Sequence, residues 1–93
     1  MSKIINTFKP DYIIPPGATL MELLDYNNMT KIELAKRIGI TPKTLYEIVK
    51  GKAPITDETS RKLEYVFGQE TSFWNSLESN YRKQLAEVEI NQS

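Results

Sequence analysis

MTKIELAKRIGITPKTLYEIVKG, residues Met29–Gly51, reads as two short helices joined by a tight turn. Thr30 is a good N-cap, and Glu33, three residues on, can close a capping box. Leu34, Ala35 and Ile38 recur at helical spacing and make one apolar face, with Ala35 small enough for two helices to cross closely. Gly39 stands where a helix ends in a left-handed residue. Ile40 returns to the core, Thr41 caps again, and Pro42 takes the first helical position, where its missing N–H is not needed. Leu45, Ile48 and Val49 form the next apolar face, and Gly51 stops that helix. The unit is a helix-turn-helix.

Outward from this unit the chain predicts three more helices. Helix one spans about Ala18 to Tyr26, with Leu20, Leu23 and Leu24 inward. Thr56 caps helix four, which carries Asp57 and Glu58 in its positive first turn and ends at Gly68 with Leu63, Val66 and Phe67 buried. Helix five begins near Thr71 or Ser72 and continues past Tyr81 toward Val88. The expected fold is all-α, with an extended N-terminal arm at 1–14, the helix-turn-helix domain at 15–81 and a helical extension at 82–93.

These residues also carry a resemblance. Met29–Gly51 is similar to the helix-turn-helix of XRE-family, phage-repressor-like regulators. Three flanking strings narrow it: Ile14-Pro15-Pro16-Gly17, Gly51-Lys52-Ala53-Pro54-Ile55-Thr56, and Phe73-Trp74-Asn75-Ser76-Leu77-Glu78-Ser79-Asn80-Tyr81. They resemble the PGE, NGKRPIT and FWLNLQANY strings of HigA-type antitoxins, over about residues 14–81. Two positions depart: Lys31 replaces a frequent glutamine, and Glu70 stands where a Ser/Thr cap is usual. The resemblance implies a repressor that binds operator DNA as a homodimer and neutralises an RNA-cleaving toxin of the RelE-like class.

Composition sets independent limits. At 93 residues the chain holds one domain with a single modest core. No apolar run is long enough to cross a bilayer and no basic, apolar leader begins the chain, so the default compartment is the cytoplasm. Zero cysteines and zero histidines remove thiol chemistry, the commonest general base and the commonest metal ligand. The chain therefore reads as a non-enzyme with no cofactor and no metal.

Formal net charge is zero, but it is unevenly spread. Residues 31–52 hold six basic side chains against two acidic, a net of +4. Residues 57–93 hold four against seven, a net of −3, and residues 1–30 hold two against three, a net of −1. A small basic patch on an acidic body points to DNA contact through few phosphates per subunit, so that two copies are needed.

The candidate DNA-binding residues follow from that patch. Lys43, early in helix three, is placed to reach base edges in the major groove. Glu47, one turn on, can accept from a cytosine amino group or pair with Lys43 or Lys50 on the helix surface. Tyr46 can meet a thymine methyl or a phosphate, or lean against helix two. Lys50 and Lys52 suit phosphate, Thr41 and Thr44 can offer hydroxyls, and Lys31 joins the set at the start of helix two. In helix five, Phe73, Trp74 and Leu77 are expected in the core, while Tyr81, Leu85 and Val88 extend the stripe beyond it as a dimer interface, the alternative being that Gln84–Ser93 is a charged, frayed end. Two other readings fit the residues: a protein-interaction module without DNA binding, and the N-terminal regulatory part of a longer ImmA/IrrE-type fusion.

Overall fold

Three threonines start three of the helices in this chain. In the computed structural model, which describes residues 13–92, Thr30 Oγ1 accepts the Glu33 N–H at 3.0 Å, and Glu33 accepts the Thr30 N–H in return. Thr41 and Thr56 each accept an N–H three residues on, from Thr44 and Thr59, and each donates its own hydroxyl to that partner's Oγ1. The helices are α1 (Pro16–Tyr26), α2 (Lys31–Ile38), α3 (Pro42–Val49), α4 (Asp57–Phe67) and α5 (Thr71–Gln92). No strand occurs among the described residues. Most of the expected arm at 1–14 lies outside them.

The α2–α3 turn is made at Gly39, whose φ of 73° is a left-handed value costly to any residue with a Cβ. Helix α1 begins two residues earlier than Ala18, because Pro15 caps it and Pro16 fits the first helical position. Helix α5 starts without help from the Glu70 side chain. Instead Glu64, from α4, accepts both the backbone N–H of Thr71 at 2.8 Å and its hydroxyl at 2.6 Å. Those two bonds, the hydroxyl first, hold the Glu64 carboxyl below its ordinary value.

The five helices close on one core: Leu20 and Leu24 of α1, Leu34, Ala35 and Ile38 of α2, Leu45 and Ile48 of α3, Ile55, Leu63 and Trp74. Leu23, Ile40, Val49, Val66, Phe67 and Leu77 pack around its edge. Phe73 departs from expectation: it is 39% exposed and meets Trp74 edge-on, ring centres 5.2 Å apart. The inward face of α5 is set by Trp74, Leu77, Glu78 and Tyr81, at helical spacing, and residue 73 is turned about 100° from Trp74. Among the α5 residues whose burial is described, none beyond Leu77 belongs to the core. At ~1.5 Å per residue, the remaining fifteen carry the helix about 22 Å further.

Candidate nucleic-acid interface

Helix α3 has Leu45 and Ile48 fully inside, which turns Lys43, Tyr46 and Lys50 out to solvent and leaves Glu47 half-buried. Pro42, Lys43, Tyr46, Glu47, Lys50 and Lys52 line one shallow, open groove along its outer side. Lys31 reaches the same face from the first residue of α2: its Nζ lies 5.2 Å from the Tyr46 ring centre, and Lys50 Nζ lies 4.8 Å from it. The structure thus brings six of the eight proposed DNA-binding residues together. The threonines lie at the head of the helix. Thr41 spends its hydroxyl proton on Thr44 Oγ1, so only the Thr44 hydroxyl has a proton left to give a phosphate.

Away from that face most cations are paired: of six among the described residues, only Lys36 and Lys83 enter no ion pair. Arg37, Arg61, Lys62 and Arg82 each pair with a carboxylate one turn back on their own helix. Lys31, Lys43, Lys50 and Lys52 enter no ion pair among the described residues, and neither does Glu47. Glu47 therefore pairs with neither Lys43 nor Lys50. Four ammonium groups without a carboxylate partner around one exposed helix give this face a positive potential that attracts polyanions.

The stripe proposed for a dimer divides. Tyr81 is half-buried within its own subunit: its Oη lies at Gly51, just past α3, and Arg82 lies 4.9 Å from its ring centre. Leu85 and Val88 sit further along α5, half-buried. Sequence reasoning missed what α5 does to the loop after α3. Glu78 accepts the N–H of Ile55 at 3.0 Å across 23 residues, and nothing in local periodicity signals that bond.

Comparison with known proteins places the chain. The helix-turn-helix family profile HTH_3 matches residues 20–74. The chain belongs to the XRE-type helix-turn-helix family. An uncharacterised HTH-type transcriptional regulator of Escherichia coli strain K12, YddM, is 35% identical over 74 residues, covering 80% of this chain and 77% of that one. Among solved structures, an addiction module antidote protein of the HigA family from Coxiella burnetii superposes with a TM-score of 0.77 at 30% identity. The alignment covers 86% of this chain and 88% of that one. The Pseudomonas aeruginosa antitoxin HigA, solved with the higBA promoter, superposes at 0.80 with 25% identity, over 86% and 88% of the two chains. The fold of this XRE-type chain is that of DNA-binding regulators. Among the described residues no helix is long and apolar enough to cross a membrane, and no cluster of His, Cys, Asp or Glu is placed to hold a metal.

Proposed function

We propose that this chain is a cytoplasmic, non-enzymatic transcriptional repressor of the HigA type, which binds operator DNA as a homodimer and serves as the antitoxin of a toxin–antitoxin pair. The observation that carries DNA binding is the clustering of charge: four lysines without a carboxylate partner gather on the one face around α3, whereas four of the six cations elsewhere among the described residues are paired. In this reading α3 enters the major groove. Lys43 and Glu47 face base edges, while Lys31, Thr44, Lys50 and Lys52 hold phosphates and Tyr46 supports two of them. The likeness to a HigA solved with promoter DNA supports both the docking mode and the antitoxin role. Domain limits of 15–81 for the DNA-binding unit and 82–93 for the extension fit the loss of core contacts beyond Leu77.

The partner toxin is an RNA-cleaving protein of the RelE-like class, and such a protein must carry basic surface to hold phosphate. Residues 57–93 of this chain are net −3, with four basic and seven acidic side chains, so charge steers the toxin to α4 and α5 and leaves α3 free. The test is a gel-shift with the DNA upstream of the chain's own gene, with and without the co-expressed neighbouring gene product. A retarded band for the chain alone, and a further retarded band for the purified pair, are expected. No shift at any protein concentration overturns the repressor reading. Failure of the neighbouring product to co-purify overturns the antitoxin reading.

A further inference from the structure

The loop from Gly51 to Ile55 carries Lys52 and joins α3 to α4. Its first three N–H groups donate back to α3: Gly51 to the Ile48 carbonyl at 3.0 Å, and Lys52 and Ala53 both to the Glu47 carbonyl, at 2.9 and 3.1 Å. Those bonds fix the loop to one turn of α3 but not to the rest of the domain. Helix α5 supplies that second anchorage at both ends. At the near end Gly51 has a φ of 81°, and a Cβ there would come 2.6 Å from Tyr81 Oη and 3.1 Å from the Pro15 side chain. Tyr81 thus occupies the space a side chain at residue 51 would need. At the far end Glu78, whose side chain is 13% exposed, accepts the Ile55 N–H through Oε1. Arg82 braces both, donating from Nε to Glu78 Oε2 and lying over the Tyr81 ring. Residues 78, 81 and 82 share one face of α5, and Lys52 lies between their two points of attachment.

Resting on the DNA-binding reading above, we infer that Glu78 and Tyr81 are positioning residues for DNA contact, holding Lys52 at the end of α3 where phosphate meets it. Neither residue touches DNA. Each acts by keeping the Gly51–Ile55 loop in one place, so that the Lys52 ammonium is presented without further ordering on binding. The two strings around Gly51–Thr56 and Phe73–Tyr81 are, in this account, two halves of one clamp.

The test is a double-mutant cycle on the full chain with its promoter-region DNA, read over a salt series with sedimentation at matched concentrations. Glu78→Ala should weaken binding about tenfold and reduce the salt slope by ~0.9, the loss of one phosphate contact. Glu78→Gln, which keeps an acceptor for Ile55, should restore most of it. In a Lys52→Ala background Glu78→Ala should cost less than about twofold more, because residues acting through one another are not additive. If Glu78→Ala does not fold, Tyr81→Phe, which removes only the oxygen at Gly51, runs the same cycle. Additive losses, an unchanged salt slope, or an altered sedimentation coefficient that accounts for the loss overturn the inference. A wild-type chain that shifts no DNA overturns the functional reading itself and is distinguished from these outcomes at the first measurement.

Discussion

The Lys31 ammonium, on the first residue of α2, stands 5.2 Å from the centre of the Tyr46 ring in α3. Lys50 stands 4.8 Å from the same ring, so one aromatic side chain, itself half exposed, gathers two cations on the outer face of the motif. An exposed cation–π contact contributes ~0.5–1 kcal/mol. On the DNA-binding reading proposed above, the ring restrains two flexible lysines before DNA arrives. Tyr46→Phe keeps the ring face and should leave operator affinity close to wild type. Tyr46→Ala should weaken it by about 1 kcal/mol, measured by fluorescence anisotropy at fixed salt. Equal loss in both variants would mean that the hydroxyl, not the ring, carries the effect.

Lys43 and Lys50 lie on the same helix face but are expected to act differently. Lys43→Ala should cost ~1–3 kcal/mol on the operator and relax preference at one base position per half-site. Lys50→Ala should weaken binding to every sequence alike and flatten the salt dependence. Binding isotherms on operator and scrambled duplexes at several salt concentrations separate the two. If both variants behave as wild type, α3 is not the reading element.

Gly17 is buried in the first turn of α1, where a Cβ would overlap the Val49 backbone at the end of α3. Gly17→Ala must therefore push α1 and α3 apart. Overpacking of this kind costs ~1–3 kcal/mol. At about 4–8 °C per kcal/mol for a domain of this size, the melting temperature should fall by several degrees or more. A thermal melt followed by far-UV circular dichroism reads it directly, and an unchanged midpoint would show that the two helices can part freely.

Glu64 should give the fold a pH dependence whose sign follows from its two bonds to Thr71. Its folded-state value lies below the ordinary 4.5, because the Thr71 hydroxyl and backbone N–H both favour the carboxylate. The stabilisation is fully present above the unfolded value and is lost as pH falls through the depressed folded value. Glu64→Gln keeps an acceptor for Thr71 but cannot titrate. Urea unfolding between neutral pH and the acid range should show a shallower decline for the variant, and parallel curves would remove Glu64 from the account.

Dimerisation through α5 is best tested beyond Tyr81. A cut after Asn80 would also remove Tyr81 from Gly51 and disturb the α3 exit loop, confusing association with folding. A cut after Lys83 spares Tyr81 and Arg82 and removes Leu85 and Val88. This truncation should stay folded and sediment as a monomer. The untruncated chain should form a dimer that protects half-sites about one helical turn apart, ~10 bp centre to centre. An unchanged dimer after truncation would place the interface elsewhere.

What the amino-acid sequence determined by itself is the set of features encoded within four residues. Thr30 with Glu33, Thr41 with Pro42 and Thr44, Thr56 with its acidic neighbours, and the stop glycines Gly39 and Gly68 each specify a helix end through bonds to nearby backbone. With apolar residues at three- and four-residue spacing between those ends, the helix-turn-helix and its exposed Lys43, Tyr46 and Lys50 follow directly. Tertiary structure decided what joins residues far apart in the chain. Lys31 meets Tyr46 because α2 packs against α3, and Glu64 starts α5 because the α4–α5 turn folds Thr71 back onto it. Phe73 looks inward by hydrophobicity alone, but the helix phase is set by burial of Trp74, which turns its neighbour out. Tyr81 reads as surplus apolar surface until the loop after α3 is seen against it. Periodicity reports which face of a helix is apolar; which neighbour covers that face depends on how the five helices pack.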